Sequence, residues 1–155
     1  MGAISVPVFR LFVIGLAVWV GPGIFQMIEH NAAWYADPVG WVRGDTVREG
    51  VINPWPITTA FFLLLTLASL AAVWRWPVAA RRPALVALGI SALMLVATFA
   101  FFVPELILMF DRTETLSDDQ IIAHSRTWVT ANAARIALML TAFWLALTAL
   151  GRRGA

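Results

Sequence analysis

The stretch that decides the fold is RTWVTANAARIALMLTAFWLALTAL, residues 126–150. It is longer than the roughly 20 apolar residues that a helix needs to cross the hydrocarbon core of a bilayer. Two polar residues, Asn132 and Arg135, nevertheless lie well inside it. Because an arginine in mid-membrane costs about 2.5–3.5 kcal/mol on insertion scales, its side chain should face other helices rather than lipid. The stretch therefore predicts a membrane-spanning helix with a polar inner face.

The composition of the whole chain also indicates a membrane environment. Of its 155 residues 61% are hydrophobic and 13% are charged, and the mean hydropathy is +0.81. A soluble domain of this length could not bury so much apolar surface. We therefore expect the protein to lie in the lipid bilayer, which would be its partner. The net charge of +2 includes no long basic run, so no nucleic-acid partner is expected. The absence of cysteine excludes disulfides, thiolate metal sites and cysteine nucleophiles.

Four apolar stretches are long enough to cross a bilayer, and we place them near residues 7–29, 55–75, 83–110 and 122–150. The first has too long an apolar run for a signal peptide, and no cleavage site follows it, so we expect it to be retained. The prediction is an all-α membrane protein with a single domain over residues 1–155. Its four transmembrane helices would form an antiparallel up-down bundle.

The placement of arginine predicts the orientation of this bundle. The second loop and the C-terminus carry Arg75, Arg81, Arg82, Arg152 and Arg153. The other two loops carry more acids, namely Asp37, Asp45, Glu49, Asp111, Glu114, Asp118 and Asp119. The positive-inside rule therefore predicts that both termini are cytoplasmic. Arginine in place of lysine and abundant alanine suggest a GC-rich bacterial genome, so the expected location is the bacterial cytoplasmic (inner) membrane.

The segment Ser-Asp-Asp-Gln at 117–120 has the pattern of a helix start. Ser117 would be the N-cap, and Gln120 stands at the position that completes a capping box. Asp118 and Asp119 would lie at the positive end of the helix dipole. We therefore expect the last helix to begin here.

Polar side chains form a stripe on the last span. His124, Trp128, Asn132 and Arg135 are spaced 4, 4 and 3 residues apart, which places them on one helical face. At 1.5 Å per residue, Arg135 lies about 16 Å beyond His124, towards mid-membrane. The stripe predicts a polar surface that runs inwards from the outer end of the bundle.

Two other spans carry matching stripes in the same outer half. On the third span Glu105 follows Pro104 and shares a face with Thr98 and Phe101. On the first span the stripe consists of Trp19, Pro22, Gly23, Gln26, Glu29 and His30. Pro22 removes a backbone donor and can kink the helix, which would open space between the spans. The second span carries only hydroxyl side chains and is not expected to contribute to a site.

The convergence of these stripes has two main interpretations. In the first, Glu105, Asn132 and Arg135 form a hydrogen-bonded clasp that fixes the register of the helices. In the second, the stripes line a pocket for a ligand or substrate. In a third interpretation, the Arg135 side chain extends past the lipid so that its charge reaches the membrane interface, but the depth of Arg135 disfavours this. A metal site formed by Glu29, His30, Glu105 and His124 is a weaker alternative, because no Glu-x-x-His pair occurs.

Several of these residues carry a family resemblance. Asn-Pro-Trp-Pro at 53–56, the Pro104-Glu105 turn, the acidic third loop and above all Trp128-x-x-x-Asn132-x-x-Arg135 resemble the DUF1772, or anthrone oxygenase-like, membrane family. That family has four spans with a Trp-x-x-x-Asn-x-x-Arg signature in the last. The resemblance covers about residues 50–140. The third span of the family usually ends in Pro-Leu-Asn, and here Pro-Glu-Leu stands in that place, which leaves the role of Glu105 open.

The resemblance implies oxygen-dependent oxidation of a hydrophobic phenolic, anthrone-like or quinol-like molecule. Some fungal members oxidise anthrones to anthraquinones, and most bacterial members have no assigned activity. Arg135 would stabilise a developing oxyanion and Asn132 would orient a carbonyl. His30 or His124 would accept the proton, and Trp128 would stack on the ring. The expected catalytic residues are His30, Glu105, His124, Asn132 and Arg135, and the expected substrate-binding residues are Trp19, Gln26, Phe101 and Trp128.

A non-catalytic bundle that binds a lipid, a quinone or a partner membrane protein is the alternative hypothesis. Transport is a third, weaker one, since four spans without an inverted repeat make a poor monomeric transporter, although a homo-oligomer could serve. No cofactor is assigned, because oxygen can react with an electron-rich carbanion without one. The expected occupant in both main hypotheses is a hydrophobic small molecule.

Overall fold

The computed structural model describes residues 5–44 and 55–154, and in this part of the chain every regular element is a helix. Four residues named above lie outside the described residues. They are the acidic Asp45 and Glu49, and Asn53 and Pro54 of the Asn-Pro-Trp-Pro segment. The first helical rod consists of α1 (Ser5–Gln26), a π-helical turn (Met27–Asn31) and α2 (Ala32–Ala36). A short helix α3 (Pro38–Arg43) follows it directly.

Four further helices complete the described fold. They are α4 (Trp55–Val73), α5 (Val78–Ala97), α6 (Val103–Asp111) and α7 (Asp118–Gly154). A second π-helical turn (Thr98–Phe102) joins α5 to α6, so that the two form one continuous rod. The expected all-helical class is therefore confirmed for the described residues.

Three helical rods are long and apolar enough to cross a membrane: Ser5–Ala36, Val78–Asp111 and Asp118–Arg153. The described part of α4, Ile57–Val73, is apolar but shorter. These three to four long apolar helices are compatible with a membrane bundle and indicate an integral membrane protein. The rods also extend beyond the apolar stretches of the sequence, because the helices continue through polar residues at their ends.

The start of α7 agrees with its sequence signal. The backbone N–H of Ser117 donates to Gln120 Oε1 at 3.0 Å, and the backbone N–H of Gln120 donates to Ser117 Oγ at 3.3 Å. Asp118 and Asp119 occupy the first turn. The predicted capping box is thus confirmed, and it explains why α7 begins before its apolar part.

Two apolar clusters hold the rods together. One lies around Phe9, Phe12, Leu16 and Trp19 of α1 and includes Phe62 of α4. Within it, small residues of α5 and α7 allow close helix packing: Ala80, Ala84, Ala87, Ala142, Ala146 and Ala149 are all fully buried. The other cluster is aromatic and lies at the opposite end, around Trp34, Phe102, Phe110 and Trp128. The predicted polar stripes run into this second cluster.

Candidate functional site

The aromatic cluster forms around Trp34, a residue that the polar stripes did not single out. Its indole Nε1–H donates to Ser125 Oγ at 2.8 Å, in a fully buried hydrogen bond between the first rod and α7. The Trp34 ring stacks on Trp41 of α3 with centroids 4.1 Å apart, and its centroid lies 4.9 Å from that of Trp128. This bond links the first rod to α7 and satisfies two buried polar groups that would otherwise destabilise the fold.

Trp128 connects α7 to the π-helical turn of the third rod. Its Nε1–H donates to the carbonyl oxygen of Phe102 at 3.1 Å, and the two rings meet edge to face at 5.7 Å. The guanidinium carbon of Arg135 lies 4.3 Å from the centre of the same Phe102 ring. This distance is typical of a cation–π contact, in which the ring face stabilises the buried charge. Phe102 is therefore the partner that joins the Trp128 and Arg135 side chains.

Phe102, and not the predicted Phe101, contacts Trp128 and Arg135. The Phe101 side chain is only partly buried, and its ring contacts Phe102 edge to face at 5.1 Å. The cause is the π-helical turn Thr98–Phe102, since such a turn closes hydrogen bonds between residues five apart and shifts the helical face. A projection that assumes a regular α-helix therefore misplaces the inward position by one residue.

Glu105 of the third rod and His124 of α7 form a hydrogen-bonded pair. Glu105 Oε2 lies 2.7 Å from Nδ1 of His124. The two side chains are 23% and 33% exposed, so the pair is partly open to its surroundings. Because the Nδ1 atom is engaged, the Nε2 atom is the ring nitrogen left to exchange a proton with another molecule.

This pairing corrects the expected clasp of Glu105, Asn132 and Arg135. Glu105 bonds to His124, and neither amide atom of Asn132 has a hydrogen-bond partner among the described residues. Arg135 extends over Phe102 instead. The physical reason is reach, since His124 lies near the outer end of α7 at the level of Glu105, whereas Arg135 lies three helical turns deeper.

The inward face predicted for α7 is nevertheless present. Trp128, Asn132 and Arg135 are all buried, with exposed fractions of 2%, 0% and 8%. His124 is partly buried at the outer end of the same face. A fully buried amide without a protein partner is costly, so it is a feature that packing alone does not explain.

The first rod departs from its predicted stripe at the π-helical turn Met27–Asn31. Trp19 and Gln26 are buried as expected, but Glu29 and His30 are exposed. The inward position after Gln26 is instead Asn31, five residues on, which is the spacing of a π-helical turn. Asn31 is 2% exposed, and both its amide atoms lack a hydrogen-bond partner in the described chain. The His30 ring is exposed and contacts Phe25, so the described contacts do not bring it together with Glu105 and His124.

The kink expected at Pro22 does not open space between the spans. Pro22 itself is exposed, and the neighbouring Gly23 is buried against α7. A Cβ atom at Gly23 would meet Cδ1 of Ile136, so this glycine permits a close approach of the two helices. The cavity beside it has a volume of only about 10 Å³ and is lined by Trp19, Val20, Gly23, Arg135, Ile136 and Met139. That volume is about the space of one water molecule.

The four candidate metal ligands do not converge. Glu105 and His124 pair with each other, while Glu29 and His30 are exposed on the first rod. Within residues 5–44 and 55–154 no group of three or more His, Asp or Glu side chains is arranged to hold a metal ion. The geometry thus gives no support to the alternative of a metal site built from these residues.

A larger cavity of about 580 Å³ opens at the end of the bundle where α7 begins. It lies between the end of α3 and the turn after α6, and it is lined by Val42, Arg43, Gly44, Phe110, Asp111, Arg112, Thr113, Glu114 and Thr115. None of the predicted site residues lines it. Arg43 beside it forms an exposed ion pair of 2.7 Å with Asp118, which fixes α3 to the start of α7.

Comparison with known proteins finds no match: no family model, no curated protein and no solved structure is similar to the chain. The resemblance drawn from Trp128, Asn132 and Arg135 therefore stays a prediction. The contacts of the described residues are the basis for the function proposed below.

Proposed function

We propose that the protein is an oxygen-dependent oxidoreductase of the bacterial cytoplasmic membrane, of the anthrone oxygenase-like kind, with both termini in the cytoplasm. Its substrate would be a flat, hydrophobic phenolic, anthrone-like or quinol-like molecule that arrives from the bilayer. The observation that carries the proposal is the Glu105–His124 pair, 2.7 Å apart and partly exposed in the outer half of the bundle.

The pair has the arrangement of a general base held by a carboxylate. Glu105 orients the His124 ring through Nδ1 and would stabilise the imidazolium that forms when Nε2 accepts a proton. Correct positioning of such a base typically contributes about 10²–10⁴-fold to a rate. Glu105 would thus act through His124 as a positioning residue and would not itself touch the substrate.

The reaction requires only a proton acceptor and oxygen. His124 would remove a proton from the activated CH₂ group of an anthrone, leaving a carbanion conjugated with the carbonyl oxygen. Oxygen would then oxidise this carbanion, so that overall one CH₂ group and one O₂ molecule become one carbonyl group and one water molecule. Arg135, whose side chain extends towards the outer half over Phe102, supplies the positive charge that would favour the anionic intermediate.

The role of Trp128 differs from the one expected from sequence. Its indole already donates to the Phe102 carbonyl and packs on the Trp34 ring, so its proposed role is to form one wall of the site. Asn132 has an amide without a hydrogen-bond partner among the described residues and is the group proposed to bond the substrate's oxygen. Because Asn132 is fully buried, substrate entry would require the outer aromatic side chains to move.

Oxygen uptake by the purified protein tests this proposal. The protein in neutral detergent is supplied with anthrone or with a reduced quinone, and the uptake of a protein-free sample is subtracted. We expect protein-dependent uptake of one O₂ per anthrone oxidised. If Asn132→Ala and Arg135→Ala leave that uptake unchanged, the two residues are structural and the proposed site is wrong.

A non-catalytic binding role is the second candidate. In that case the protein would bind an oxidised quinone or a lipid without any oxygen uptake. Because the cavity that reaches Arg135 holds only about 10 Å³, the side chains around it would have to move in either role. Saturable binding of an oxidised quinone together with an uptake equal to that of the protein-free sample would favour this reading.

A further inference from the structure

The two ends of the bundle differ in the distribution of their acidic residues. At one end lie the N-terminus of α1, the loop between α4 and α5, and the C-terminus of α7. This basic end is defined by Arg10, Arg75, Arg81, Arg82, Arg152 and Arg153. Every acidic residue that the structure describes lies in the other half of the bundle: Glu29, Asp37, Glu105, Asp111, Glu114, Asp118 and Asp119. Among the described residues, the basic end therefore carries arginines and no acidic side chain, which favours a positive potential there.

Three of these guanidinium groups lie around the short loop of residues 74–77 and the first turn of α5. Arg81 Nη1 donates to the carbonyl oxygen of Trp74 at 3.1 Å, and Arg152 Nη1 lies 3.5 Å from that of Ala79. The guanidinium carbon of Arg153 lies 5.9 Å from the centre of the Trp76 ring. Trp76 in turn donates to Ser5 Oγ at 3.2 Å, which fixes the loop to α1. The contacts hold these charges close together in spite of their separation in sequence.

The start of α5 adds to the positive potential at this loop. Its N-cap, Pro77, forms no side-chain cap, and no acidic residue occupies the first turn. The first N–H groups of a helix have no carbonyl partners within the helix and favour a negative charge. This helix instead carries Arg81 and Arg82 close to its N-terminus. Cations at the positive end of a helix dipole are unfavourable, so an anion bound there would offset both effects.

The basic end also has the features of a membrane interface. Trp74 is 64% exposed next to these arginines, and exposed tryptophan at the end of a membrane helix typically lies at the level of the lipid headgroups. A clustered set of basic residues immediately beside membrane helices attracts anionic lipids. A phosphate at this level would lie within reach of both the guanidinium groups and the start of α5.

From these observations we propose that the basic end binds the headgroup of an anionic phospholipid, whose phosphate is held between Arg81, Arg152 and the N-terminus of α5. The site is independent of the oxidoreductase function proposed for the other half of the bundle. The ligand is a lipid rather than a free phosphate, because Trp74 beside the charges provides an apolar surface for the acyl region.

Lipid retention measured by native mass spectrometry tests the site. The full chain in neutral detergent is mixed with equal amounts of phosphatidylglycerol and phosphatidylcholine. We expect the wild-type protein to retain phosphatidylglycerol selectively. Arg81→Gln/Arg152→Gln should weaken this retention about 25-fold, since each basic residue close to the bound headgroup contributes about a fivefold preference for anionic lipid. Arg82→Gln, a single change at an exposed residue, should weaken it about fivefold.

The matched control is Arg112→Gln/Arg126→Gln, which removes two exposed arginines from the opposite end. This control should retain phosphatidylglycerol as the wild-type protein does. An equal loss in the control, or equal retention of the two lipids by the wild-type protein, would overturn the proposal. Stabilisation by inorganic phosphate equal to that by phosphatidylglycerol, measured as the shift of the thermal midpoint, would also overturn it, because the ligand would then be a free anion.

Discussion

The carboxylate of Glu105 and the imidazole of His124 meet at 2.7 Å across the interface between α6 and α7. The two residues are 19 positions apart in sequence, and the chain between them includes the acidic turn after α6. Because the pair is only partly exposed, its hydrogen bond should contribute about 0.5–1.5 kcal/mol to the free energy of unfolding. It is also the contact on which the proposed chemistry depends.

A double-mutant cycle on this pair should show that the two side chains interact. Glu105→Gln and His124→Gln should each lower the free energy of unfolding in detergent, and the double variant should lose less than the sum, by about 0.5–1.5 kcal/mol. Circular dichroism during denaturant titration provides the measurement. As a control, Glu114→Gln combined with His30→Gln should be additive, since both residues are exposed and lie apart. Additivity in the Glu105–His124 cycle would contradict the pairing.

The buried amide of Asn132 predicts a conflict between stability and activity. Asn132→Leu replaces two buried polar atoms, for which the described part of the chain offers no partner, with apolar atoms, so it should raise the free energy of unfolding by about 1 kcal/mol. The same variant should abolish substrate-dependent oxygen uptake. Ala133→Leu, a change at the exposed neighbouring position, should alter neither quantity. A destabilised Asn132→Leu variant would indicate that the amide is already satisfied in the folded protein.

The indole hydrogen bond of Trp128 should stabilise the outer end of the bundle. Trp128→Phe keeps an aromatic ring but leaves the carbonyl of Phe102 without this donor, so it should cost about 1–3 kcal/mol. Trp144→Phe is the matched control, because Trp144 is 71% exposed and should tolerate the change. Thermal unfolding of both variants in detergent compares them directly, and an equal effect of the two changes would count against a structural role of the Phe102 contact.

Much of the fold follows from the sequence because hydropathy and helix-start signals are local. The span that contains residues 126–150 and the capping box of Ser117 and Gln120 are present as expected. The inward face of Trp128, Asn132 and Arg135 follows from regular helical spacing, which α7 maintains throughout its length.

The site was predicted less well because two π-helical turns interrupt that spacing in the other rods. The turn Met27–Asn31 turns Glu29 and His30 outwards and brings Asn31 and Trp34 inwards. The turn Thr98–Phe102 exchanges Phe101 for Phe102. No local sequence pattern predicts either π-helical turn. The pairing of Glu105 with His124 rather than Arg135 depends on the relative height of two rods, and such a relation appears only in the assembled bundle.

Because the chain contains no cysteine, single introduced cysteines can test the orientation of the bundle. Single cysteines at Asp119 and Arg82 place one thiol at each end of the bundle. The positive-inside rule predicts that an impermeant thiol reagent added to intact cells labels Asp119→Cys and not Arg82→Cys. Labelling of both positions after cell lysis is the control for reactivity. Selective labelling of Arg82→Cys in intact cells would reverse the proposed topology.

The most direct test of the central claim, that His124 is the proton acceptor of an oxygen-dependent oxidation, is the rate of anthrone-dependent oxygen uptake in four purified proteins. These are the wild type, His124→Ala, Glu105→Gln and the control Thr127→Ala, an exposed neighbour on the same helix. We expect the rate to fall about 10²–10⁴-fold in His124→Ala, less in Glu105→Gln and not at all in Thr127→Ala. Equal rates in the wild type and in His124→Ala, with both proteins folded, would show that His124 is not the proton acceptor.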